Sequence, residues 1–131
     1  MKSFQVIAAL LFVTIALASA SRSAYFVITD GHNEFNIKLS DAALIAHARG
    51  LISGSVTEQQ HIMGTIVKKD AWYNPEWSFY MNPTTISFFD MAMEVCDSAI
   101  ITAEEHLAEV GGSFLPGSVW CPWYSRVVRE L

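Results

Sequence analysis

The sequence predicts an α+β fold: an antiparallel sheet of about five strands, two helices packed on one face, and one disulfide. Three observations carry this. Short segments alternate apolar and polar residues at the period of a strand. Two other segments repeat apolar residues at helical spacing behind capping residues. Their order, ββαβββα, is that of an α+β domain with its helices gathered on a sheet.

The elements follow in chain order. Residues 1–20 read as an export signal: Lys2 is basic, Val6 to Leu17 is apolar apart from Thr14, and Ala18-Ser19-Ala20 is a small-residue cleavage site. The apolar run of about 12 residues is shorter than the ~20 needed to span a bilayer. Residues 21–131 then form one secreted domain. Tyr25 to Thr29 is β-branched and aromatic, Asp30-Gly31-His32-Asn33 is a turn cluster, and Phe35, Ile37 and Leu39 alternate with polar residues. Together they read as a hairpin. Ser40 as N-cap, Asp41 in the first turn and Gly54 as C-cap bracket a helix over about 41–52, with Leu44, Ile45, Ala48, Leu51 and Ile52 on its buried face. His61 to Lys69 reads as a third strand. Residues 70–76 form a loop around Asn74-Pro75, and 84–89 suit a short helical turn. Trp77, Phe79 and Met81 alternate as a fourth strand, and Met91 to Cys96 reads as a fifth. Thr102-Ala103-Glu104-Glu105 fits a capping box opening a second helix that ends at Gly111-Gly112. Ser125 to Glu130 adds a last short strand.

Composition narrows the function classes. Of the 131 residues, 52% are hydrophobic and 16% charged, which excludes a disordered or coiled-coil chain. A net charge of −5 argues against a nucleic-acid binder. Loss of Lys2 leaves 7 basic against 13 acidic residues, a net −6. No Lys or Arg lies between Asp70 and Ser125, so an acidic surface there suits solubility or a basic protein partner. Cys96 and Cys121 are the two cysteines, and in an oxidising compartment they pair most simply with one another. No N-glycosylation site is present, because Pro83 disqualifies Asn82-Pro83-Thr84.

Catalytic constellations are missing. His32, His47, His61 and His106 stand in no metal-ligand spacing, and there is no EF-hand loop, phosphate loop or nucleophile elbow. The sequence therefore calls for no metal and no cofactor, and reads as non-catalytic. His32, between Asp30 and Glu34, is the one place where a small hydrolase site would form. The aromatics are more informative. Trp72, Tyr73, Trp77, Phe79 and Tyr80 crowd one segment, and Trp120, Trp123 and Tyr124 another. Trp77 and Phe79 suit the core. Trp72, Tyr73, Trp120, Trp123 and Tyr124 are the candidate ligand-binding residues, since Trp and Tyr dominate binding hot spots.

Several segments resemble the N-terminal domain of the cAMP-inducible prespore proteins of slime moulds, a family that includes small secreted microbial domains labelled calmodulin-like or calmodulin-binding. They are Phe26 to Leu39, His61 to Ile66, Tyr73 to Phe79, Glu94-Val95-Cys96-Asp97, Phe114-Leu115-Pro116-Gly117 and Trp120-Cys121-Pro122-Trp123. The resemblance spans nearly all of 21–131 and implies a small extracellular domain. It carries over no catalytic residues. Of the calmodulin label the sequence bears no sign: its predicted helices hold one basic residue, Arg49.

The expectation is a secreted binding domain for a carbohydrate or extracellular matrix ligand, with no nucleic-acid partner and no membrane partner after signal cleavage. A protein-partner module such as a protease inhibitor is the alternative, its motive the Phe114 to Pro122 tail pinned by Cys121. The small hydrolase at His32 is the third.

Overall fold

Three sheets take the place of the single five-stranded sheet that the alternation predicts. A computed structural model describes residues 22–91 and 93–131, so the expected export signal lies outside the described residues. Strands β1 (Ala24–Thr29) and β2 (Glu34–Leu39) form the expected hairpin, with Gly31 at φ +89° in its turn. The chain returns at its end to add β9 (Arg126–Glu130) on the other side of β1, giving the order β2-β1-β9. The second sheet is built on β3 (His61–Val67). Its first residues pair with β5 (Ser87–Phe89), Gly64 and Thr65 with β8 (Val119–Trp120), and its last with β4 (Tyr80–Met81), all antiparallel. A small parallel pair, β6 (Val110–Gly111) with β7 (Phe114–Pro116), is the third.

The first two sheets stay separate because the free edge of β2 is already satisfied. Asn74 Oδ1 accepts the Asn36 amide at 2.8 Å, and the Trp77 indole N–H donates to Glu34 O at 2.7 Å. These side chains take the places a neighbouring strand would fill, which also protects the edge from other chains. Asn74 can do so because it is buried and its Nδ2 is anchored on Phe79 O. The cost is regular structure: Trp77 and Phe79 are buried as expected, but only Tyr80 and Met81 of the fourth predicted strand lie in a ladder.

Alternation places Phe26, Ile28, Phe35, Ile37 and Leu39 on one face of the hairpin, and all are buried. Phe35, Phe79 and Trp120 meet at ring separations of 5.0–5.4 Å and join the two larger sheets. Gly64 sits where β3 crosses Met81: a Cβ there would meet Met81 Cγ at 2.5 Å.

Helix α1 (Ala42–Ser53) closes one side of this core with Leu44, Ile45, Ala48 and Leu51. Asp41 rather than Ser40 is its N-cap, accepting from the Ala43 and Leu44 amides, and Gly54 at φ +84° ends it as expected. Arg49 pairs bidentately with Glu130 and ties α1 to β9. The second helix, α2 (Ile100–Glu105), opens two residues before Thr102, so the expected capping box does not form. Its start is fixed from far along the chain: Asp30 Oδ2 accepts the Ile100 amide at 3.0 Å. A 3-10 turn, Leu107–Glu109, replaces the rest of the predicted helix.

The fifth predicted strand is also absent. Residues Glu94–Cys96 form a 3-10 turn, and the strand lies earlier, at Ser87–Phe89, where a short helical turn was expected. Cys96 and Cys121 are bonded as predicted, both buried, and the Cys121 amide donates to Cys96 O at 2.7 Å. Among the described residues no helix is long and apolar enough to cross a membrane.

Candidate functional site

The β1–β2 turn, the approach to α2 and the segment after Cys121 converge on one cleft of about 440 Å³. Its lining is Asp30, His32, Asp97, Ser98, Ala99, Pro122 and Tyr124. Three separate stretches of sequence meet there because two cross-links hold them. Asp30 bonds the start of α2, and the Cys96–Cys121 disulfide brings Asp97 beside Pro122.

Asp30 is the keystone of the turn. Its Oδ1 accepts the His32 and Asn33 amides at 3.0 and 2.9 Å, while Oδ2 takes Ile100. Burial alone would raise its pKa, but the Asn33, Ile100 and His32 amides together hold it below the ordinary carboxylate value. A carboxyl so held is poorly suited to act as a general acid. Asp97 Oδ1 accepts the Trp123 amide at 3.0 Å. His32 is exposed at the cleft and takes no part in the described ion pairs.

The five predicted binding aromatics fall in different places. Tyr124 is 79% exposed and lines the cleft. Trp123 is half-buried, stacked on His61 with ring centroids 3.5 Å apart, and serves the cleft through its amide to Asp97. Trp120 is fully buried, which corrects its assignment as a ligand contact. Its pairing with Gly64 in β8 leaves the large ring in the space between the sheets, and its indole N–H donates to Ser98 O from behind the cleft wall. The other two are elsewhere. Trp72 is 79% exposed and packs edge-on against Tyr25, at 5.2 Å. Tyr73 is only 9% exposed, also a correction, because the sheet covers it: its carbonyl accepts from Asn36 Nδ2 and its ring packs on Tyr25. Its hydroxyl finds no partner, and burial, then the phenols of Tyr80 and Tyr25, push its pKa up to about 12. Tyr25 near the start of β1 and Asp30 just past its end stand five residues apart, about 17 Å at ~3.4 Å per residue, so Trp72 and Tyr124 belong to two surfaces.

Sequence reasoning missed Asp97 and Ser98 as cleft residues. The available signal was their adjacency to a disulfide cysteine. The Phe114 to Pro122 tail is no extended loop: Leu115, Trp120, Cys121 and Pro122 are buried, and β8 pairs with β3. Among the described residues no group of three or more His, Cys, Asp and Glu side chains is placed to hold a metal.

A family model for the N-terminal domain of a slime-mould prespore protein matches residues 22–131. The comparisons with curated proteins and with solved structures return no match. The chain therefore belongs to this prespore-protein N-terminal domain family, in agreement with the resemblance drawn from its motifs.

Proposed function

We propose that this member of the prespore-protein N-terminal domain family is a secreted, non-catalytic domain that binds saccharides in the Tyr124 cleft. The observation that carries the reading is an exposed aromatic ring at a polar cleft of sugar size, with Asp30, Asp97, Ser98 and His32 around it. A tyrosine ring offers a flat apolar face to the C–H face of a sugar, and carboxylates accept its hydroxyls. The cleft is cross-linked by the disulfide and by Asp30, so little order has to be gained on binding. Secretion is supported by the apolar N-terminal segment and by the disulfide.

The test is depletion of the purified protein by chitin, cellulose and β-glucan, with Tyr124→Ala as the site variant. Tyr124 is exposed, so the variant keeps its fold, which near-UV circular dichroism checks. Binding that Tyr124→Ala reduces about tenfold, the scale of an aromatic anchor, supports the proposal. No binding to any of the three, or undiminished binding by the variant, refutes it.

A further inference from the structure

The surface at the other end of β1 has a chemistry of its own. Tyr25 and Lys38 face one another across the β1–β2 ladder, so they share a face of the sheet, and Trp72 packs on Tyr25. Trp72 belongs to a short loop that leaves β3 through Lys68 and Lys69. The loop is closed on itself: Val67 pairs with Tyr80, and the Tyr80 and Tyr73 rings lie 6.3 Å apart. Lys38, Lys68 and Lys69 are all the lysines of residues 22–131, in a chain where acidic residues outnumber basic ones. Among the described residues none of the three forms an ion pair. Asp70 is the carboxylate that directly follows them, with Trp72 two residues on.

We propose that Trp72, supported by Tyr25 and flanked by Lys38, Lys68 and Lys69, binds an anionic polysaccharide, one carrying carboxylate or sulfate groups. The exposed indole supplies the stacking plane, and the three ammonium groups supply charge complementarity that acts over about a Debye length. A polysaccharide fits better than a bilayer. Trp72 is the only large apolar side chain exposed on the loop, and Asp70 beside it opposes an anionic membrane. The site uses no residue of the Tyr124 cleft and stands or falls without it.

The experiment measures binding of the purified protein to polygalacturonate and dextran sulfate, with neutral dextran as control and phosphatidylserine-containing vesicles as competitor. Both anionic chains are expected to bind at least about tenfold more tightly than neutral dextran at about 50 mM salt, with most of that margin lost near 0.5 M. Trp72→Ala weakens binding about tenfold. Lys68→Gln/Lys69→Gln, two exposed positions that do not touch the core, removes most of the preference for charge. Tyr124→Ala leaves this binding unchanged. Equal affinity for neutral dextran, an unaffected Trp72→Ala, or vesicles that displace the polysaccharide would overturn the proposal.

Discussion

Replacing Asp30 tests how the cleft is built. Its carboxylate accepts from His32 and Asn33 inside the turn and from Ile100, 70 residues away, at the first position of α2. Ala99, the N-cap of α2, has no side-chain oxygen, so Asp30 caps the helix across the fold. In Asp30→Ala the exposed His32 amide turns to water at little cost, whereas the part-buried Asn33 and Ile100 amides lose a charged acceptor. An N-cap loss costs about 1 kcal/mol, and a part-buried amide left without a partner about as much again. With a discount for the solvent that reaches this turn, the sum is about 1.5–2.5 kcal/mol. Asn keeps one acceptor oxygen for the turn and cannot serve Ile100, so Asp30→Asn is expected to cost about 1 kcal/mol. With a urea m-value of about 1–1.5 kcal/mol/M for this size, the alanine variant unfolds at about 1–2 M less urea at pH 7. The pH dependence has a fixed sign. The folded pKa of Asp30 is lowered, so its contribution is fully present above the unfolded value near 3.9 and is lost as pH falls through the folded value. The gap between wild type and Asp30→Asn should therefore hold from pH 7 to about 5 and narrow below about 4. Coincident urea curves for wild type and Asp30→Ala at pH 7, or a gap that does not narrow in acid, would refute the capping role.

Three further outcomes are expected. Gly64→Ala places a Cβ 2.5 Å from Met81 Cγ and 3.3 Å from Ile86 Cγ1, both in the core, and should cost about 1–3 kcal/mol of unfolding free energy in urea. Tyr73→Phe removes a buried hydroxyl that has no partner, so it should raise stability by about 0.5–2 kcal/mol; in wild type, absorbance titration should show one tyrosine ionising only near pH 12. Cys96→Ser/Cys121→Ser opens a loop of 25 residues and should cost about 3 kcal/mol, while weakening saccharide binding because Asp97 and Pro122 flank the bond.

What could be read from the sequence was what local chemistry decides. The hairpin, α1 with its Gly54 cap, β3, the C-terminal strand and the disulfide all follow from alternation, capping residues and cysteine count. The failures share a cause, a distant partner replacing a local one. Thr102 looks like an N-cap, but the cap of α2 comes from Asp30. Trp77 and Phe79 alternate as a strand would, yet Asn74 holds that segment as a loop so that it can cover the edge of β2. For the binding residues the limit was exposure. Trp72 and Trp120 are the same residue type beside similar turn residues, and only the pairing of Trp120 with Gly64 decides that one is surface and the other core. Tyr124 could be proposed from its type, whereas its neighbours Asp97 and Asp30 come together only through the disulfide and the cap.

The two proposed surfaces are set by one strand. Phe26 and Ile28 fix β1 in the core, Tyr25 supports the lysine-flanked Trp72 at one end, and Asp30 leads into the Tyr124 cleft at the other. Pairing on both sides, with β2 and β9, makes that spacing rigid. The charges at the two ends are opposite, so a ligand suited to one is disfavoured at the other. An anionic chain drawn to Lys38, Lys68 and Lys69 meets Asp30 and Asp97 if it reaches the cleft. Repulsion of this kind separates ligands as effectively as attraction does. Together the two proposals describe a domain that holds two unlike saccharides apart at a fixed distance, a bridging role that neither surface could supply alone.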